Sequence, residues 1–326
     1  MGDTLGLDDL RRACPLIRPA IGLRTGRGAV KTGAMRNVAD ILCIGSVLWD
    51  MIGRCDAPMP PGADRPGRIT RVPGGVALNI AMALRRFGLA PALLSTVGRD
   101  PEGDALIAAC EARGVRTDMI YRSDDLPTDQ YMAIEAPNGL IAAIADAHSL
   151  EAAGDKILQP LKTLDGSYKG AVALDGNLTV DLLSFLASSP LLAQADVRVA
   201  PASPGKALRL TPFLQAGRGT LYVNLEEAGL LCQSAFQSSD DAATALLARG
   251  AARAVVTNGG QATCIALSGR CISQVPPAVC VNRVTGAGDT FMAAHIAAEL
   301  GGADLDAALA TALKAAALYV SGETTI

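Results

Sequence analysis

Short apolar runs alternate with segments whose apolar residues recur at helical spacing, from residue 39 almost to the end of the chain. Ile41-Leu42-Cys43-Ile44 is apolar throughout and stops at Gly45, the pattern of a strand buried on both faces that arrives at a loop. Further strands are expected at 92–97, near 119–121, and at 171–174, 197–200, 220–223 and 254–257. The stretches between them read as helices: 76–87, stopped by Gly88, then 103–113, 179–188, 205–215, 226–232 and 242–249. Two more strands, at Thr263–Leu267 and 271–274, precede an alanine-rich helix that begins at about Asp289 and a last helix over Leu305–Val320. Regular alternation of strand and helix implies an α/β fold, a doubly wound and mostly parallel sheet covered on both faces.

Two stretches break the alternation. Residues 51–72 are rich in Pro and Gly and contain a short alternating segment at 68–72, so they leave the main sheet. Residues 130–135 and 140–145 flank Pro137-Asn138-Gly139, a turn signal that predicts a β-hairpin. Together these excursions, about 51–72 and 128–147, predict a small sheet that acts as a lid over an active site. Residues 1–38 stand apart, because the first 34 are rich in Arg and Gly and weakly periodic. They read as a disordered leader, or as an upstream extension of a chain that starts at Met35, ahead of one domain spanning 39–326. Asp3, Asp8 and Asp9 count against an acid-poor targeting peptide.

Half of the 326 residues are hydrophobic and only 3% are aromatic, so the core must be built from Ala, Val, Leu and Ile. A net charge of −3, without a basic stripe or an aromatic cluster, argues against nucleic-acid binding. The eight cysteines are scattered, contain no CxxC pair and have two histidines for company. They read as small buried hydrophobes of a reducing cytoplasm, not as a metal site. His148 and His295 have no evident partner and read as structural. No apolar run approaches the ~20 residues that span a bilayer, and the N-terminus lacks the apolar core of a secretory signal, so a cytoplasmic protein without membrane partners is expected.

In doubly wound sheets ligands bind beyond the carboxyl ends of the strands, which makes polar residues after strands the candidates for chemistry. Thr285-Gly286-Ala287-Gly288-Asp289 opens the alanine-rich helix with three successive small residues. Such a turn lets backbone N–H groups converge beside the positive end of the helix dipole. A carboxylate there can deprotonate a hydroxyl while the amides stabilise a transferred anionic group; the competing role for Asp289 is that of an N-cap. Asp50, Gly74-Gly75 with Asn79, and Asp175 with Asn177 can all face one pocket, or can serve as caps and turns. Asn224 and Glu227 share one face of a first helical turn, which suits either a water-coordinated magnesium ion or a capping box. Thr257-Asn258-Gly259-Gly260 is either a plain turn or a loop against which a nucleotide can lie. Gly286-Ala287-Gly288 lacks the third glycine of a dinucleotide site and no GxxxxGK[ST] loop exists, so nicotinamide and Walker-type chemistry are disfavoured.

The order of these motifs, Gly74-Gly75-Val76-Ala77-Leu78-Asn79, then Asn224 to Glu227, then Thr285 to Asp289, resembles the ribokinase-like (PfkB) family of carbohydrate and nucleoside kinases from Ala39 to the C-terminus. Within that family, Pro66-Gly67-Arg68-Ile69 with Pro73-Gly74-Gly75, Ala142-Ala143-Ile144-Ala145-Asp146 and Ser203-Pro204-Gly205-Lys206-Ala207 are most similar to pseudouridine kinases. The resemblance implies a ribokinase-like sheet with a small β lid, ATP as phosphate donor and Mg²⁺. It implies phosphorylation of the primary 5′-hydroxyl of pseudouridine or a related ribosyl nucleoside. Asp289 would be the general base, and Gly286, Ala287 and Gly288 the anion hole. Asp50, Gly74, Gly75, Asn79 and Asp175 would lie at the substrate. Asn224, Glu227, Thr257, Gly259 and Thr285 would lie at the nucleotide, with Asn224 and Glu227 organising magnesium through water. Other family sugar kinases, acting on ribose, fructose or 2-keto-3-deoxygluconate, and a catalytically silent sensor are the alternatives. The family pattern carries Asp or Asn three residues before Gly286, a position associated with a monovalent cation in some members. Arg283 stands there, preceded by Asn282, which counts against cation activation. The chain ends soon after residue 320, early for the family, which implies a less enclosed adenine pocket. An exposed lid edge is expected to pair with a second copy, giving a homodimer.

Overall fold

The computed structural model describes residues 39–164 and 166–323, so the expected leader at 1–38 lies outside the described residues. The chain begins β1 (Ile41–Ile44), β2 (Leu48–Arg54), β3 (Arg68–Gly74), α1 (Val76–Arg86), β4 (Pro91–Leu94), β5 (Thr96–Gly98), α2 (Pro101–Ala112) and β6 (Tyr121–Ser123). It continues β7 (Gln130–Ala136), β8 (Gly139–Asp146), α3 (His148–Ala153), α4 (Gln159–Lys162), β9 (Ala171–Asp175), α5 (Val180–Ser188), β10 (Asp196–Ala200) and α6 (Thr211–Ala216). It closes β11 (Thr220–Asn224), α7 (Leu225–Cys232), α8 (Ser239–Ala248), β12 (Arg253–Thr257), β13 (Thr263–Leu267), β14 (Arg270–Gln274), α9 (Ala287–Leu300) and α10 (Leu305–Val320).

Eight strands form the main sheet in the order β14-β13-β12-β11-β10-β9-β1-β4. From β12 to β4 all neighbours are parallel, while β13 and β14 run antiparallel. Successive side chains of a strand point to opposite faces, so a wholly apolar strand feeds two cores at once. Leu42 and Ile44 pack with α3 and with α5 to α8 on one face; Ile41 and Cys43 pack with α1, α2, α9 and α10 on the other. The fold is doubly wound α/β, a large mostly parallel sheet with a small separate one, and it gathers the carboxyl ends of the parallel strands along one edge. The small sheet has the order β3-β2-β7-β8; β2 pairs antiparallel with β3 and parallel with β7. Its first strand begins at Leu48, ahead of the expected excursion.

Several elements differ from the expectations. The strand expected at 92–97 divides: β4 joins the main sheet, whereas β5 pairs with β6 in a separate two-stranded sheet. The helix expected at 205–215 is a 3₁₀ segment, Pro204–Leu210, followed by α6. Pro212 has no N–H to give the Leu208 carbonyl, and the Thr211 hydroxyl occupies that carbonyl at 2.7 Å. The helical stretch α3 to α4 was not expected. Its N-cap, Ala147, offers no side-chain acceptor; His148 N–H reaches Asp146 at 3.4 Å, and Ser149 N–H and Leu150 N–H donate to the Asp129 carboxylate at 2.9 and 3.0 Å. Cys271 and Cys280 are exposed, contrary to the reading of the cysteines as buried. Both histidines have partners: His148 Nδ1 lies 2.8 Å from Asp146, and buried His295 lies 2.7 Å from the Tyr222 hydroxyl. Among the described residues no helix is long and apolar enough to cross a membrane.

Candidate active site

Helix α9 begins at Ala287, and its N-cap is Gly286 in the left-handed conformation, φ 87°, without a side-chain cap. Asp289 is therefore not the cap. Its Oδ2 accepts a hydrogen bond from Asn79 Nδ2 at 3.0 Å, which ties α9 to α1, and Oδ1 stays unshared among the described residues. Burial pushes the Asp289 carboxyl up to about 7; the Asn79 bond acts against this, and the charges of Asp175, Asp50 and Glu227 add to it.

The amides beside it divide into engaged and free. Ala287 N–H donates to Val284 C=O and Thr290 N–H to Gly286 C=O, each at 3.0 Å. Those of Gly286, Gly288 and Asp289 have no acceptor among the described residues, and a Cβ at Gly288 would meet nothing within 4 Å. The Ala287 amide expected in the cradle is thus committed to the turn, and the unengaged amides here are those of Gly286, Gly288 and Asp289. Free N–H groups at a helix N-terminus with open space in front suit an anionic oxygen.

Asp50 projects from β2 at the register of Tyr131 on β7. Its carboxylate has no hydrogen-bond partner among the described residues, and burial raises it to about 6. Gly74 and Gly75 make room at this corner. A Cβ on Gly74 would run into the Asp50 carboxylate; one on Gly75, φ 96°, would sit 2.5 Å from the Ser46 carbonyl oxygen.

Asp175 has a different task from the expected substrate contact. It is fully buried, and its Oδ2 accepts from Ser46 N–H and the Ser46 hydroxyl at 2.8 Å and from Ala77 N–H at 2.9 Å. Its Oδ1 accepts from Asn177 N–H at 2.7 Å. With every donor supplied by the protein, Asp175 clamps the β1 loop, the start of α1 and the β9 loop to one another, and the expected substrate contact is replaced by a positioning role. Ser46 and Lys206 carried no role in the sequence reading. Ser46 Oγ accepts from Val76 N–H and Asn177 Nδ2, both at 2.8 Å, and Lys206 Nζ donates to Asn177 Oδ1. The signal for Ser46 was its place directly after the first strand; that for Lys206 was the Ser203-to-Ala207 segment already singled out by resemblance.

At the ends of β11 and β12, Asn224 and Thr257 are register neighbours. Asn224 and Glu227 form a complete capping box: Glu227 N–H donates to Asn224 Oδ1, and Asn224 N–H to Glu227 Oε2, both at 2.8 Å. Glu227 is buried, which lifts its carboxyl to about 7 despite the Asn224 bond, and its second oxygen is unshared among the described residues. A cavity of about 970 Å³ opens beside them, lined by Asn224, Thr257, Asn258 and Gly259 together with apolar Leu208, Leu225 and Phe236. The structure thus places Asn79 against Asp289 and Asn224 beside Thr257 and Gly259. Thr285 is exposed, with its carbonyl taken by the Tyr319 hydroxyl at 2.8 Å.

Residues 38–326 match the pfkB family carbohydrate kinase pattern. Pseudouridine kinase of Escherichia coli strain K12 is 29% identical over 264 residues, which cover 79% of this chain and 83% of that protein. A carbohydrate kinase from Agrobacterium tumefaciens superimposes with a TM-score of 0.74 at 25% identity, covering 88% of this chain and 94% of that one. A ribokinase from Thermotoga maritima shares the fold with a TM-score of 0.75 at 20% identity, covering 87% of this chain and 93% of that one.

Proposed function

Because the chain belongs to the pfkB family of carbohydrate kinases and is a phosphotransferase acting on a hydroxyl group, we propose that it transfers the γ-phosphoryl group of ATP to the primary 5′-hydroxyl of pseudouridine or a closely related ribosyl nucleoside. The observation that carries the chemistry is the Asn79–Asp289 pair beside unengaged helix amides. Asn79 fixes one carboxylate oxygen of Asp289, and the other is left to take the proton of an incoming hydroxyl. A base that titrates near neutrality matches this task. The amides of Gly286, Gly288 and Asp289 and the α9 dipole hold charge on the transferred group, so the chain contributes by positioning and electrostatics. Asp50 and Asn79 hold ribose hydroxyls, with Gly74 and Gly75 giving the sugar access.

Open space in front of the Gly259 loop and the lining of the large cavity suit a nucleotide against Asn224, Thr257 and Gly259. Bound magnesium would neutralise phosphate charge. The capping box and the burial of Glu227 leave only its second oxygen to hold the ion's water shell. The narrow substrate rests on the likeness to the Escherichia coli pseudouridine kinase.

The test is ADP release by the purified protein with ATP and Mg²⁺ across pseudouridine, uridine, adenosine, ribose, fructose and 2-keto-3-deoxygluconate. Selective turnover of pseudouridine is expected; preference for another acceptor would reject the nucleoside but keep the mechanism. Saturable binding without ADP from any of them would favour a sensor. The lid also supports pairing with a second copy, since Ile69, Leu140 and Ile144 are 75, 60 and 69% exposed. Light scattering is expected to give a dimer, and a monomer at all concentrations would remove that part of the proposal.

A further inference from the structure

Arg283 occupies the position that the family resemblance associates with a monovalent cation, and the surroundings do not fit such an ion. Its guanidinium lies over the Tyr319 ring, with Cζ 3.7 Å from the ring centroid, and Nε donates to the Tyr319 carbonyl at 2.7 Å. Nη2 is buried and has no hydrogen-bond partner among the described residues. A cation site needs carbonyl oxygens, and those of Thr285, Tyr319, Val320 and Ser321 are already engaged. The Tyr319 hydroxyl donates to the Thr285 carbonyl at 2.8 Å. Asn282 N–H and Arg283 N–H share the Val320 carbonyl at 2.9 and 3.2 Å, and Asn282 Nδ2 takes the Ser321 carbonyl at 2.6 Å. A guanidinium is a permanent cation, so a second positive ion placed here would meet repulsion, and Arg283 Nε holds the Tyr319 carbonyl that could face it. The Arg283 charge is already felt by Arg86 at the end of α1, whose guanidinium is destabilised first by burial and then by Arg283.

The geometry points to Arg283 as a tethered internal cation that replaces an exchangeable one: it locks the segment before Gly286 to the end of α10 and keeps the free amides of the α9 N-terminus in place without K⁺ or Na⁺. Arg283 touches no reacting atom in this reading and is a positioning residue. One arm of the test is independent of the substrate assignment, and only the other rests on the kinase reading.

The first arm compares thermal unfolding of the full chain in KCl, NaCl and tetramethylammonium chloride at equal ionic strength. The native protein is expected to melt at the same temperature in all three. Arg283→Asp removes the guanidinium and adds a hard anionic ligand, and is expected to gain a K⁺-specific rise of about 3 °C at high salt. A K⁺-specific rise in the native protein, or a folded Arg283→Asp indifferent to K⁺, would overturn the proposal.

The second arm measures ADP release with whichever acceptor of the panel is turned over. Native turnover is expected to be flat across the three salts. Arg283→Gln, which keeps the length and loses the charge, is expected to fold and to lose about tenfold in kcat with KM for the acceptor nearly unchanged. Saturable K⁺ activation of the native enzyme, or full turnover by Arg283→Gln without K⁺, would sink the idea. Silence across the whole panel would instead count against the kinase reading and leave the melting result standing.

Discussion

Asp289 and Glu299 stand at opposite ends of α9, and the protein surrounds them in opposite ways. Glu299 is held by two arginines: Arg253 grips it with Nη2 at 2.6 Å and Nη1 at 3.2 Å, and Arg198 adds a further donor. Arg198 is itself paired with Asp196 and bonded to the Tyr222 hydroxyl at 3.1 Å. This holds the Glu299 carboxyl down at about 2, because the arginine contacts outweigh the burial that would raise it. Asp289 has one amide donor and three acids for neighbours, and sits at about 7. The same helix thus carries one acid whose charge is compensated by arginines and one whose charge is not. A group ready to accept a proton near neutrality costs folding energy wherever it is ionised, and the arginine cluster at the other end of the helix offsets such a cost.

The largest test of that contrast is Asp289→Asn, expected to lower turnover by about 10³-fold while the protein stays folded. Near-native ADP release would remove Asp289 from the mechanism. Next, Glu299→Gln leaves Arg198 and Arg253 without their shared partner and is expected to cost about 3 kcal/mol of stability in denaturant titrations, with turnover per folded molecule largely kept. If that variant instead lost turnover and kept its stability, the division of labour along α9 would be wrong.

The pH dependences run in opposite senses. Asp289 must be ionised to act, so kcat/KM is expected to climb about tenfold per pH unit up to an apparent pKa near 7 and then level off. A profile flat from pH 5 to 8 would contradict this assignment. For stability, the folded Asp289 carboxyl lies above its ordinary 3.8, so its penalty is absent below about 3.8, grows as pH rises, and is complete above about 7. Asp289→Asn is therefore expected to melt about 3 °C higher than the native protein at pH 8 and at the same temperature near pH 4. Glu299 has the reverse sign. Its contribution is present above its ordinary 4.5 and is lost as pH falls toward about 2, so the stability gap between native protein and Glu299→Gln should close in acid.

Much of this arrangement was legible before any coordinates. Short apolar runs and period-3.6 patterning located nearly all strands and helices of the doubly wound core, since strands buried on both faces read as unbroken apolar runs, as in Ile41–Ile44 and the first four residues of β9. The small residues of Thr285 to Asp289 announced a tight turn into a helix, and Pro137-Asn138-Gly139 announced the β7–β8 hairpin. Such signals are local, because backbone conformation and alternation of burial depend on residues a few positions apart.

What remained undecided depended on partners distant in sequence. The sequence left Asp289 between cap and base; the structure gives the cap to Gly286, and the packing of α1 on α9 brings Asn79 to the Asp289 carboxylate across 210 positions. Asp175 looked like one more post-strand acid, and its role as a clamp appears only when Ser46 and Ala77 converge on it from other elements. Helix α3 has no side-chain acceptor at its N-cap to reveal it, since its Ser149 and Leu150 amides are satisfied by Asp129, which lies upstream of the β7–β8 hairpin. Local sequence determined which segments form strands, helices and turns, because those choices are settled by φ/ψ preference and periodic burial. Tertiary structure alone decided which acids are compensated and which stay ready to react, because desolvation and hydrogen-bond supply are properties of the assembled neighbourhood.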